Sequence, residues 1–178
     1  MDSMEKRTAA VIHKGFFDKS RMAIDSGYYL EAIMYEYSAI EGRLEVICGL
    51  LGCPCNKELD ANTRSKIYIS SRISCLKTLY KEHPACVYSK TRIDSKYWVK
   101  LNKWRKARNI YVHGLYKRPE LFVSRMEESK ALATEGIELA RILYNEAKRI
   151  RRLQKNHPEL LNFDEKRCKG ESCLQCNQ

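Results

Sequence analysis

Arg108-Asn109-Ile110-Tyr111-Val112-His113-Gly114 sets a permanent cation, a polar amide and an imidazole close together in the chain. An arginine can grip a phosphate through two parallel hydrogen bonds and stabilise charge that gathers on it. A histidine five positions on can take up or release a proton near neutral pH. Between Lys96 and Arg118 there are eight basic residues and no acidic one, so the pair stands in a positive field. Chemistry on a phosphodiester suits these residue types better than any other set in the chain.

The elements that must position them read as helices. With 8 Gly and 4 Pro in 178 residues, tight turns are few and long helices are favoured. The spacing predicts a first helix from about Met4 to Ile24, with Ile12 and Phe16 on one face. In the second, Ile33, Tyr37, Ile40, Leu44, Ile47 and Leu51 recur at four- and three-residue steps, an apolar stripe that Gly52-Cys53-Pro54-Cys55 ends. A third runs from about Thr63 to Glu82, with Ile67, Ile73, Leu76 and Tyr80 in step, and His83-Pro84 stops it. A fourth runs from about Ser95 to Val112 and is interrupted by Gly114 and Pro119. A fifth extends from about Glu120 to Asn156, with Phe122, Met126, Ala133, Ile137, Ala140, Tyr144 and Ala147 facing inwards. The expected architecture is all-α, an antiparallel four- to five-helix bundle over residues 1–157, with a polar cysteine-containing tail over 158–178.

Composition narrows the partners. Apolar residues make up 44% and charged ones 31% of the chain, a globular balance. A net charge of +11 points to a polyanion, RNA or DNA before an anionic membrane. Neither a signal-peptide core nor an apolar run of membrane-spanning length is visible, so a cytoplasmic protein with no membrane partner is expected. The eight cysteines are then expected as thiols or metal ligands rather than disulfides.

The register of the fourth helix gives Arg108 its interest. Tyr97, Leu101 and Trp104 define the inward face, and the next position is 108. A buried guanidinium needs company, because a lone desolvated charge costs several kcal/mol. Either an acid meets it, Glu41 or Glu45 on the second helix, or the face opens into a cleft that takes an anion. On one straight helix a five-residue step turns about 140° and rises about 7.5 Å, so Arg108 and His113 would not aim at one point. Convergence requires the helix to end near Gly114, a long reach by Arg108, or a second subunit.

At these residues the chain resembles the HEPN superfamily, the higher eukaryotic and prokaryotic nucleotide-binding domains. Their signature is Arg, four to six residues, then His, usually with a polar residue after the Arg. Arg108, Asn109 and His113 match it, late in an all-helical chain, and the likeness covers roughly Met4 to Asn156. The resemblance implies a metal-independent endoribonuclease, a toxin or antiphage effector, that needs no cofactor. His113 would act as general base or acid, Arg108 would hold the scissile phosphate, and Asn109 would orient the phosphate or the imidazole. Attack by the RNA 2′-hydroxyl would leave a 2′,3′-cyclic phosphate and a 5′-hydroxyl end. It also implies a two-fold homodimer with a composite site, to which Tyr111 and Leu115 could contribute, and an antitoxin or other regulatory protein. Members paired with a nucleotidyltransferase antitoxin often carry Tyr two positions after the His; here Leu115 stands there and Tyr116 follows.

Lys100, Lys103, Arg105, Lys106, Lys117 and Arg118 could track an RNA backbone, and Trp98, Tyr111 or Tyr116 could stack a base. Trp104 and Tyr111 fall on the inward register and read mainly as core. A second basic run, Lys148, Arg149, Arg151, Arg152 and Lys155, either complements the last helix dipole or touches nucleic acid. Cys168, Cys173 and Cys176 could supply three ligands of a zinc site, with Cys53, Cys55 or His157 as the fourth. Cys48, Cys75 and Cys86 read as small core residues. Two other functions fit the same chain: a non-catalytic RNA- or nucleotide-binding module, and a helical interaction domain with a zinc-clipped tail.

Overall fold

A computed structural model of the protein describes residues 15–53, 69–82, 93–118 and 124–156. Five helices cover them: α1 over residues 15–25, α2 Tyr29–Leu50, α3 Ile69–Glu82, α4 Ser95–Lys117 and α5 Met126–Asn156. The described residues contain no strand, and the fold class is all-α.

The helix ends follow from local chemistry. Gly27 (φ 78°) closes α1, where Tyr28 N donates to Ala23 O at 2.7 Å and Gly27 N to Ile24 O at 3.0 Å. Gly52 (φ 59°) closes α2 the same way, with Cys53 N on Cys48 O at 2.9 Å. Both glycines take the left-handed conformation that residues with a Cβ avoid, and so satisfy the last carbonyls of their helices. Asp94 caps α4: its Oδ1 accepts from Tyr97 N at 2.8 Å, three residues on, which satisfies an otherwise orphaned donor.

Three expectations change. Gly114 does not interrupt α4, which continues to Lys117 with Arg118 N donating to Gly114 O at 2.9 Å. A single glycine costs a helix only about 1 kcal/mol, less than the flanking turns recover. Met126 does not face inwards; it is the first residue of α5 and is exposed. Trp98 is not free to stack a base, because it is 2% exposed and packs edge-on to Tyr80 and Tyr97, each at 5.5 Å between ring centroids. The inward face of α4 is wider at that end than a single stripe implies.

Tertiary contacts divide the chain into two units, one drawing on residues up to Gly42 and on Lys100–Arg141, the other on Arg43–Val99 and residues from Ile142 onward. In the first, Ala23, Ala32, Ile33, Tyr111 and Ala133 form a buried cluster edged by Ile24, Tyr29, Leu30, Val112 and Leu132. Trp104 lies in this unit too, its indole N–H donating to Leu132 O at 2.8 Å. In the second, Leu44, Ile47, Leu51, Ile73, Leu76, Leu143, Ala147 and Ile150 are buried. There Tyr80 Oη donates to Glu146 Oε1 at 2.5 Å, and Arg149 grips the same carboxylate with Nε at 2.9 Å and Nη2 at 2.6 Å. No helix among the described residues is long and apolar enough to cross a membrane.

Glu36 stands out in the first unit. It is 1% exposed; Ser20 Oγ donates to its Oε1 at 2.7 Å, and its Oε2 has no hydrogen-bond partner. Burial pushes the carboxyl up to about 9, against the Ser20 bond, which lowers it. Folded Glu36 therefore keeps a proton that the unfolded chain has released above about 4.5. Its contribution to stability is fullest below that value and declines as pH rises towards about 9. Glu36→Gln keeps the neutral shape without the titration. Urea unfolding should show a stability gain over wild type that grows with pH across this window; a gain independent of pH would refute the assignment. Gly136 makes room for this carboxyl, since a methyl there would stand 2.7 Å from Trp104 Cζ2 and against Glu36. Gly136→Ala is expected to cost about 1–3 kcal/mol in the same measurement, the range for overpacking a core.

Candidate functional site

Arg108 is half-buried on α4, and its guanidinium carbon lies 4.0 Å from the centroid of the Tyr37 ring of α2. Nη2 contacts Met34 Sδ at 3.3 Å, and Nη1 donates to Asn109 Oδ1 at 3.1 Å. Nε is buried without a hydrogen-bond partner. Among the described residues no carboxylate pairs with this guanidinium. Neither acid expected to meet it does so. Glu45 is taken by the buried Arg72 at 3.5 Å, and Glu41 acts on Tyr37 instead. Partial burial first, and Glu41 second, raise the Tyr37 hydroxyl above its ordinary value, while Arg108 and Arg105 pull it down.

The arrangement solves the problem of a desolvated cation with polarisable surfaces. An aromatic face and a thioether attract a guanidinium without neutralising it, so the charge stays available to an anion. Arg105, three residues earlier, is fixed similarly: Nε and Nη2 both donate to Asn102 Oδ1 at 3.2 Å. Two arginines one turn apart, each steered by an amide, make a forked cationic face beside Tyr37. Asn109 thus orients Arg108, rather than the imidazole.

His113 is exposed, and it lies elsewhere on the helix. Because α4 runs unbroken through Gly114, the five-residue step turns it about 140° away from Arg108 and about 7.5 Å along the axis. Its neighbours at helical spacing are Lys106, Ile110 and Lys117, all exposed, with Ile110 70% accessible. One chain therefore brings Arg108 and Asn109 together and holds His113 apart.

The remaining candidates divide. Lys103, Lys106, Lys117 and Arg118 are exposed and make no ion pair with any described residue. Lys100 is exposed and pairs with Glu135 at 3.6 Å, in a depression that Glu127, Lys130 and Glu138 also line. Tyr111 is 4% exposed and hydrogen-bonds Ser129. It belongs to the core rather than to a subunit interface. The side chains of Leu115 and Tyr116 lie outside the described residues, as do Cys55, Cys86, His157, Cys168, Cys173 and Cys176. Cys48 and Cys53 are buried, and Cys75 is half-buried. No three His, Cys, Asp or Glu among the described residues are grouped to hold a metal.

Sequence reasoning missed Met34 and Tyr37 as partners of the cation. Tyr37 sits on the apolar stripe of α2, where an aromatic reads as packing; the signal was an arginine on the inward register of α4. Tyr37→Phe keeps the ring and should hold stability to within about 0.5 kcal/mol, whereas Tyr37→Leu should lose about 1 kcal/mol more. Equal losses in chemical denaturation would show that the ring face does not support Arg108. Comparison with protein-family models, with curated proteins and with solved structures finds no match to this chain.

Proposed function

We propose that the chain is a metal-independent endoribonuclease of HEPN type, folded as an antiparallel helical bundle and working as a two-fold dimer. The observation that carries the reading is Arg108, a positioned guanidinium with no described carboxylate to neutralise it. A scissile phosphate would take the place of the missing acid, and the same contact would strengthen as negative charge gathers on its oxygens. His113 would remove the proton from the 2′-hydroxyl as that oxygen attacks phosphorus. The bond to the 5′-oxygen breaks, that oxygen takes a proton, and a 2′,3′-cyclic phosphate and a 5′-hydroxyl end result. DNA, lacking the nucleophile, would survive.

With α4 unbroken through Gly114, this chemistry would draw on the reach of Arg108 or on a second copy. An isologous dimer would have to bring each His113 towards the partner's Arg108, and would then supply both a base and an acid. Ile110, 70% exposed among cations, is the apolar centre such a contact needs. The resemblance extends the reading to a toxin or antiphage effector held in check by an antitoxin or other regulator. A second reading, an RNA-binding module without catalysis, is favoured by the separation of Arg108 from His113 in one chain.

Total RNA incubated with the protein in EDTA separates the two. Cleavage with cyclic-phosphate and 5′-hydroxyl ends is expected, reduced at least about 100-fold in Arg108→Ala and in His113→Ala, as for loss of a general acid–base group. Cleavage that needs Mg2+, 5′-phosphate ends, or full activity in His113→Ala overturns the mechanism. RNA binding with no cleavage in wild type supports the module.

A further inference from the structure

We propose that Arg43, Lys148 and Arg151 form a second anion site, in the unit containing Arg43–Val99, that takes phosphates of an RNA backbone. It stands apart from the cleavage reading and uses none of the same side chains.

Two cations lie against one ring there, and a third is close in charge to the first. The Arg43 guanidinium carbon lies 4.9 Å, and Lys148 Nζ 4.4 Å, from the centroid of Tyr144. Tyr144, Lys148 and Arg151 follow at four- and three-residue steps on α5, so they share a face. Arg43 is 4% exposed, yet none of the described carboxylates pairs with it. Burial first, and the Arg151 charge second, make its proton easier to lose. From Ile142 to Asn156 the only acid on α5 is Glu146, and that carboxylate is engaged by Arg149 and Tyr80. Arg149, although part of the same basic run, is therefore a structural residue.

An assembly of like charges with no counter-charge costs the folded state free energy, and an anionic ligand recovers it. The row continues along α5 through the exposed Arg152 and Lys155, about 10 Å from Lys148 at helical rise. A row suits a chain of phosphates better than a single one. A membrane surface fits less well, because an interfacial helix lays an apolar strip into the lipid, and here Leu143, Ala147 and Ile150 are buried. Tyr144 carries two cations on its ring, so phosphate rather than base is what this site reads.

The test uses a labelled 2′-O-methyl oligouridylate, which cannot be cut by 2′-hydroxyl attack, and the full chain. Fluorescence anisotropy should show Lys148→Gln/Arg151→Gln binding at least about 10-fold more weakly than wild type at physiological salt. Its slope of log affinity against log salt should fall by about 1.4, two phosphates at about 0.7 each. The charge-matched pair Arg21→Gln/Lys77→Gln, exposed elsewhere, should lose less than about threefold, as screening of distant charges predicts. Arg43→Met should weaken binding while leaving the melting temperature unchanged or raised. Equal losses in the two double variants overturn the proposal, as does a lowered melting temperature in Arg43→Met with RNA affinity intact. Binding to phosphatidylserine vesicles with none to the oligonucleotide overturns it in favour of a lipid surface.

Discussion

The Arg108 guanidinium over the face of Tyr37 is the contact on which the functional reading of this protein depends. A cation on the inward register of a helix must be compensated, and the compensation chosen decides what the cation can still do. A carboxylate would have neutralised it and left a strut between helices. A ring and a thioether hold it by quadrupole and polarisability, and the positive charge remains available. Asn109 and Met34 then restrict where it points.

The same problem is met at three other buried charges in the chain. Glu36 is buried and keeps its proton, with Ser20 on one oxygen and Gly136 making space for the other. Arg72 takes Glu45 as a partner. Arg43 lies against Tyr144 with further cations nearby and no described acid paired with it. Neutralised groups of this kind hold helices in register, whereas a cation on a ring keeps its charge. Arg43 and Arg108 fall on the second side of that line, and both rest on tyrosines.

Continuity of α4 shapes the rest. A helix that stopped at Gly114 would have freed His113 to swing towards Arg108. The extra turn instead commits the imidazole to an exposed face with Lys106, Ile110 and Lys117. Within one chain the imidazole and the Arg108 guanidinium therefore start from different faces of the helix.

Much of the architecture was legible in residue order. The stripe Ile33, Ile40, Leu44, Ile47 and Leu51 is buried as its spacing requires, and Ala133, Ile137, Ala140 and Ala147 likewise. Gly52 ends α2 because only a residue without Cβ takes φ 59° freely. These features are set within a turn or two of chain, so local pattern suffices to read them. Glu36 and Arg43 were also in step with that stripe, at three- and four-residue intervals from Ile33, Ile40 and Ile47, but an apolar pattern draws attention away from charges inside it. What local order could not decide was which group answers each buried charge. Met34 and Arg108 are 74 residues apart, and Tyr80 and Glu146 are 66 apart. Such pairings depend on which helix faces which, so only the packed helices determined that Arg108 meets a ring, that Glu45 goes to Arg72, and that Trp98 lies inside.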